Sequence, residues 1–318
     1  MKNSFPQLLC IRHSQLFFSE GNKLICSSGC SHPVRDGIPR IIDSNYAVAF
    51  GFQWNRFQKT QLDSYTKTNI SRKRLSEALG GELLSQIGTF TYLEIGCGAG
   101  RFTEVLLEYG SNVASVDMSD AVDANARNFP ITDSHSILQA DVLKLPFQVN
   151  NFDLVLCLGV IQHTPNPENT IFALAQQVKP GGWLVIDHYT KSFAWNLRSA
   201  RYIRPVLKRL PPALALRFVE RTYFISKPFF LFSRNRVYRK LLNILLPVVF
   251  FDKEIPELGS EFKDEWSILD SFDSLTDWYK HRRSSAQIRK ALENSGLTVE
   301  MCQYGGNGVI ARAHRDII

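Results

Sequence analysis

The 318-residue chain contains no run of about 18 apolar residues, the length a helix needs to cross a bilayer, so no transmembrane helix is expected. The segment from Met1 to Cys10 lacks the continuous apolar core and small-residue cleavage site of a secretory leader, which points away from export. Cysteine is scarce and uneven. There are six, three of them in the first thirty residues, which excludes the dense framework of a small secreted domain and points to a reducing, cytoplasmic setting. No RNA-binding module accompanies the net charge of +7, so the reading places anions in general, but not nucleic acid, among the expected partners. The balance of 44% hydrophobic and 21% charged residues is that of a globular protein large enough to need no covalent staples.

What is present is a glycine stretch from Phe90 to Phe102, in which a short apolar strand turns on Gly96, Gly98 and Gly100 and enters a helix. Backbone without Cβ atoms turns tightly there and lets a ligand approach, while the helix start aims N–H groups and partial positive charge at it. A dinucleotide fingerprint requires a third glycine or alanine where this chain has Arg101. Glu94, two residues before the first glycine, repels a pyrophosphate but suits a ligand with cationic amino and sulfonium groups, such as S-adenosylmethionine. Asp117 ends the second strand, where its oxygens can accept both ribose hydroxyls. Asp141 follows the third, where it can accept the adenine amino proton. Each of these carboxylates also has a plainer use, capping a helix or holding a loop.

Six pieces in order, Glu94–Gly100, Val116–Asp117, Gln139–Asp141, Phe152–Val155, Ile161–Pro165 and Lys179–Gly182, resemble the class I S-adenosylmethionine-dependent methyltransferases, the group that includes ubiquinone- and menaquinone-pathway enzymes. The resemblance implies an α/β, Rossmann-like, seven-stranded and mostly parallel sheet with helices on both faces and one antiparallel strand near the C-terminus. It implies that Glu94, Gly96, Gly98, Gly100, Asp117, Met118, Asp141 and Val142 hold S-adenosylmethionine. The expected strands are Thr91–Ile95, Asn112–Asp117, Ser136–Gln139, Phe152–Leu158, Trp183–His188, Leu297–Tyr304 and Gly308–His314. The expected helices are Arg101–Tyr109, Ser119–Asn128, with Ser119 as its cap, Pro167–Val178 and Ser284–Ser295. A non-catalytic binding or scaffold protein on the same fold stays open as the alternative.

Residues 1–45 form a compositionally separate head. Cys10-x-x-His13 and Cys26-x-x-x-Cys30 have the look of two knuckles able to grip one structural zinc ion, although buried thiols are the plainer reading. The stretch His32–Ile42, with its Arg35–Pro39 motif, resembles the small zinc-ribbon-like domain of methyltransferase activator proteins. Residues 46–88 read as a linker and capping helix, with Leu75, Leu79 and Leu83 at helical spacing and Phe52, Gln53 and Trp54 available to close over a ligand. The core then occupies 89–189, an insertion 190–277, and the last helix and two strands 278–318.

Transfer of a methyl group from sulfonium is an in-line displacement, in which a base is needed only if the acceptor must lose a proton. His163 after the fourth strand and His188 at the end of the fifth are the candidate bases, with Tyr189 a further acceptor contact. The insertion is strongly polarised. Residues 191–251 hold 13 Lys and Arg against one acid, Glu220, a net of +12, whereas 252–277 hold nine acids against Lys253 and Lys263, a net of −7. It reads as a helical acceptor lid. Its uses divide among packing on the sheet, peripheral contact of 191–251 with an anionic membrane, and binding of an acidic acceptor. The expected acceptor is a small or lipid-like molecule; the oligomeric state is not legible.

Overall fold

The head is built from short strands joined by tight turns: β1 Leu9–Cys10, β2 Gln15–Glu20, β3 Lys23–Cys26, β4 Ser31–Arg35 and β5 Ile38–Ile41. The Arg35–Pro39 motif is the β4–β5 hairpin. Asp36 and Gly37 both sit at positive φ, 51° and 77°, as a two-residue turn matching the twist of its strands requires. The computed structural model describes residues 7–43, 46–191, 198–233, 235–251 and 255–317; the start of the chain and parts of the insertion read above lie outside the described residues.

Three helices follow: α1 Val48–Arg56, α2 Asp63–Thr66 and α3 Ile70–Ser85. Leu75, Leu79 and Leu83 of α3 are buried, as their spacing requires. The helix is broken in its middle by Gly80 (φ 70°, ψ 174°). A Cβ there would lie 2.0 Å from the Arg312 guanidinium, so the kink makes room for that side chain.

The core alternates strand and helix: β6 Thr91–Ile95, α4 Arg101–Glu108, β7 Asn112–Asp117, α5 Ala121–Asn128, β8 His135–Ala140, β9 Phe152–Cys157, α6 Pro167–Ala175 and β10 Val178–Tyr189. Asp120 occupies the cap position of α5 without a side-chain cap bond, while the Ser119 hydroxyl accepts from Ala121 N at 3.2 Å, as a capping serine does, and donates to Asp117. The insertion forms α7 Ala200–Leu207, α8 Pro212–Leu231, α9 Arg236–Leu245 and α10 Ser260–Thr276. The chain ends with α11 Ser285–Asn294, capped by a reciprocal Ser284–Gln287 box, and the hairpin β11 Thr298–Gly305 and β12 Gly308–His314.

The strand order is β1-β2-β3-β4-β5-β8-β7-β6-β9-β10-β12-β11. The expected seven-stranded sheet is therefore corrected to a twelve-stranded mixed one. Strand β5 pairs in parallel with β8 (Arg40 beside Gln139, Ile41 beside Ala140), which satisfies an edge that would otherwise expose unpaired N–H and C=O groups. Arg40 secures the junction through Asp123 and Gln139. Strand β12 runs antiparallel to both neighbours, as expected of one strand near the C-terminus. The lid has its own core, in which Phe230 stacks on Phe250 and Phe272 meets Phe52 of α1.

Candidate active site

A cleft of about 880 Å³ opens at the C-terminal ends of β6, β7 and β9, where open parallel sheets receive ligands. The glycine turn forms its floor. Gly96, Gly98 and Gly100 adopt φ of 72°, 52° and 100°, and Cβ atoms there would meet Val160 at 2.1 Å, Trp54 at 3.1 Å and Phe129 at 2.5 Å. The sequence therefore needs glycine at these positions both for backbone shape and for close packing. Gln53, Trp54 and Phe50 of α1 line the cleft, whereas Phe52 turns into the lid core.

The expected cofactor residues divide into two groups. Gly96, Gly98, Asp117, Met118 and Val142 line the cleft. Asp117 Oδ2 accepts from Gly98 N at 3.0 Å, and Oδ1 accepts from Ser119 N and Oγ at 2.8 and 2.7 Å. Burial raises its pKa above the ordinary carboxylate value while these donors oppose that shift. Its oxygens still have lone pairs to offer a ligand. Glu94 does not reach the cleft. It lies beneath the glycine turn, accepting from Thr103 Oγ1 at 2.5 Å and Ser115 Oγ at 2.9 Å, and burial pushes its pKa up to about 7. Its local task is to tie β6 to α4 and β7. Asp141 accepts from Leu143 N at 3.0 Å and faces a small cavity of about 150 Å³ toward the head. Gly100 caps α4 and likewise lies outside the lining.

His163 and His188 also part company. Successive side chains of a strand point to opposite faces, so Tyr189 reaches the cleft and His188 does not. His188 is fully buried behind the cleft wall, its Nδ1 lies 2.9 Å from Tyr189 O, and burial lowers its pKa to about 4. His163 lines the cleft between the rings of Phe50 and Tyr189, with centroids at 5.3 and 5.4 Å. Its Nδ1 lies 3.0 Å from Asp277 Oδ2 at the end of α10.

Sequence reasoning missed this partner and the charges around it. Asp277 is buried and gathers Arg204 Nε at 2.6 Å and Lys280 Nζ at 3.2 Å. Burial pushes its carboxyl up, but Lys280, His163 and Arg204 outweigh that and hold its pKa at about 2. Asp273 and Asp270, one and two turns earlier, line the cleft. Burial, with Asp273 beside it, pushes Asp270 up to about 7 against the pull of Arg101 and Arg74. Asp273 Oδ1 is buried with no hydrogen-bond partner among the described residues. The positions 270, 273 and 277 share one helical face, so their spacing within the acidic stretch was the available clue. Arg101, the residue that spoils the dinucleotide fingerprint, packs on Trp266 and donates to Ser71 and Gln61.

In the head, Cys10, His13, Cys26 and Cys30 place their ligand atoms within 4.8 Å of one another. His13 Nδ1 lies 3.6, 3.5 and 3.5 Å from the sulfurs of Cys10, Cys26 and Cys30. Zn–S near 2.3 Å and Zn–N near 2.05 Å at a tetrahedral angle give a sulfur–nitrogen edge of about 3.6 Å, so the cluster is compatible with a zinc ribbon.

Residues 93–186 match the family described as a methyltransferase domain. This segment is a class I methyltransferase domain. S-adenosylmethionine is the donor of that class. Among similar proteins, the ubiquinone biosynthesis O-methyltransferase of Burkholderia vietnamiensis is 28% identical over 124 residues, 37% of this chain and 53% of that protein. The enzyme of the same name from Coxiella burnetii is 30% identical over 122 residues, 37% and 52%. The chain thus spans about half the length of the curated relatives it matches. Among solved structures, magnesium protoporphyrin IX methyltransferase of Synechocystis PCC 6803 with bound SAH has a TM-score of 0.46 at 14% identity, covering 85% of this chain and 97% of that one. An S-adenosylmethionine-dependent methyltransferase of Mesorhizobium loti has a TM-score of 0.45 at 17% identity, covering 77% and 98%. The methyltransferase domain contains the glycine turn, Asp117, Asp141 and His163; the head, His188 and the lid fall outside the matched segment.

Proposed function

We propose that the protein transfers the methyl group of S-adenosylmethionine to an oxygen or carbon of a small or lipid-like acceptor in the cytoplasm. The observation that carries this reading is the meeting of two walls in one cleft: the glycine turn with Asp117 on one side, and His163 backed by Asp277 on the other. The cleft residues fit the donor. The glycine floor leaves its N–H groups approachable, Asp117 keeps acceptor capacity for ribose hydroxyls, and Met118 and Val142 supply apolar contact for an adenine. When bound, S-adenosylmethionine supplies an electrophilic methyl group on sulfur.

In this reading His163 accepts the proton of an acceptor hydroxyl at Nε2, while the Tyr279 carbonyl accepts from Nδ1 at 3.2 Å and Asp277, 3.0 Å from the same nitrogen, balances the charge that forms. Tyr189, Phe50 and Trp54 exclude water around the transferring group, and the unpaired Asp273 oxygen receives a hydroxyl or amino proton of the bound acceptor. The head (1–45), capping segment (46–88), core (89–189), lid (190–277) and C-terminal closure (278–318) act as successive parts of this arrangement. The Cys10–His13–Cys26–Cys30 cluster holds one structural zinc ion.

The test is incubation of the protein with methyl-deuterated donor and a cell extract, with the labelled product sought by mass spectrometry. His163→Gln is expected to lower the labelling rate by about 10²-fold or more without changing affinity for the donor. No labelled product from an extract that supports other methyl transfers would leave the scaffold alternative in its place.

A further inference from the structure

Among the described residues, fourteen of twenty-six exposed large hydrophobic side chains lie between Tyr202 and Leu245, on three helices of the lid and the turns that join them. Helix α8 is the extreme case. Its inner face buries Ala215, Leu216, Val219, Tyr223 and Phe230. Its outer face carries Leu214, Phe218, Ile225 and Phe229, continued by Phe232 at the C-cap, and all five fall within about 60° of one another at 100° per residue. Phe232 is 85% exposed and Ile225 70%. A helix apolar all round belongs in a core or against lipid, and this one has a core on one side only.

Helix α9 repeats the pattern with a narrower stripe. Val237, Leu241 and Leu245 lie along its exposed side, with Val237 at 74%, and Arg236 and Lys240 flank them. Helix α7 adds Tyr202, 71% exposed, and Val206. Arg217 and Arg221 rise from the exposed face of α8 beside its apolar stripe. Across residues 198–251 the single acid is Glu220. Apolar rings and branched chains projecting among the exposed cations Arg217, Arg221, Arg236 and Lys240 are what an interface with anionic headgroups requires; a second copy of this chain would set like charges against each other. No helix among the described residues is long and apolar enough to cross a membrane, so the surface lies on a bilayer rather than through one. The chain leaving α9 carries Val249 and Phe251 into the lining of the cleft, which puts the apolar surface and the cleft on one continuous segment.

We infer that the outer faces of α7, α8 and α9 dock the protein on an anionic lipid bilayer, with Phe229, Phe232 and Ile225 entering the acyl boundary and Arg217, Arg221, Arg236 and Lys240 contacting headgroups. The docking stands on surface chemistry alone; its purpose, admitting a lipid-like acceptor to the cleft, rests on the function proposed above.

The test is flotation of the full-length protein with vesicles of phosphatidylcholine alone or with about one-third phosphatidylglycerol, at low and physiological salt. Binding is expected to the anionic vesicles only and to weaken with salt. Arg221→Glu/Lys240→Glu should lower partitioning about thirty-fold or more, and Ile225→Ser/Phe229→Ser/Phe232→Ser should abolish it at physiological salt. Both variants alter exposed positions, and donor binding by calorimetry, run in parallel, shows that the fold and the cleft survive. Equal binding to neutral vesicles, no binding to either, or a concentration-dependent dimer in ultracentrifugation that the triple variant dissolves would each overturn the inference. Donor binding without vesicle binding defeats the docking and leaves the cleft reading intact; the reverse result does the opposite.

Discussion

Two carboxylates on one helical face of α10 are expected to respond to neutralisation with opposite signs. Asp270 has a pKa raised from an ordinary 3.8 to about 7, whereas Asp277 is held at about 2. A carboxyl with a raised folded pKa keeps its proton more tightly in the folded state, so Asp270 costs stability as pH rises from about 4, and fully above 7. Three units at about 1.4 kcal/mol each give about 4 kcal/mol; Asp270 borders the solvent of the cleft, and screening brings the expected cost nearer 2 kcal/mol. Asp277 works the other way: its contribution is present above its unfolded value and lost as pH falls toward 2. Its removal also strands Arg204 and Lys280 in a buried setting, for a loss of about 2–4 kcal/mol. At about 2 °C per kcal/mol, Asp270→Asn should raise Tm at pH 8 by about 4 °C, and Asp277→Asn should lower it by about 4–8 °C. The Asp270→Asn gain should shrink to nothing by pH 4. Scanning calorimetry of both variants at pH 4, 6 and 8 measures this. A destabilised Asp270→Asn at pH 8, or a gain that does not change with pH, would refute the charge assignment in the cleft.

The glycine turn gives a second prediction. Gly96→Ala sets a Cβ 2.1 Å from Val160 Cγ2 at a φ of 72°, so it should cost about 1–3 kcal/mol of stability and at least ten-fold in donor affinity, read by thermal unfolding and calorimetry. The head cluster gives a third. Elemental analysis should find about one equivalent of zinc in protein prepared without chelator, and Cys26→Ser/Cys30→Ser should lose it along with several degrees of Tm. Protein with no metal and an unchanged Tm in the double variant would return these residues to ordinary thiols.

The sheet was legible because each strand of the core is a short apolar run ended by a polar or glycine residue. Thr91–Ile95, Asn112–Asp117 and Gly308–His314 fall where the sequence places them. What local pattern could not supply was direction. Glu94, Asp141 and His188 stand at strand ends as expected, yet the pleat and the following turn aim them under the floor, toward the head and into the core. The partner of His163 lies 114 positions further along the chain, brought in only when the lid folds back over the sheet. The junction of β5 with β8 was invisible for the same reason, since pairing between distant strands leaves no periodic trace. The apolar runs of 191–251 were evident; that α8 turns more of its large apolar side chains outward than inward became clear only from burial.

The central claim is that the glycine turn and Asp117 form the binding site for S-adenosylmethionine. Isothermal titration calorimetry of the full chain with S-adenosylmethionine measures it most directly. One saturable site per chain is expected, weakened at least ten-fold by Asp117→Ala, with no heat from a nicotinamide dinucleotide. Absence of saturable binding to folded protein, or binding that Asp117→Ala leaves unchanged, would contradict the account.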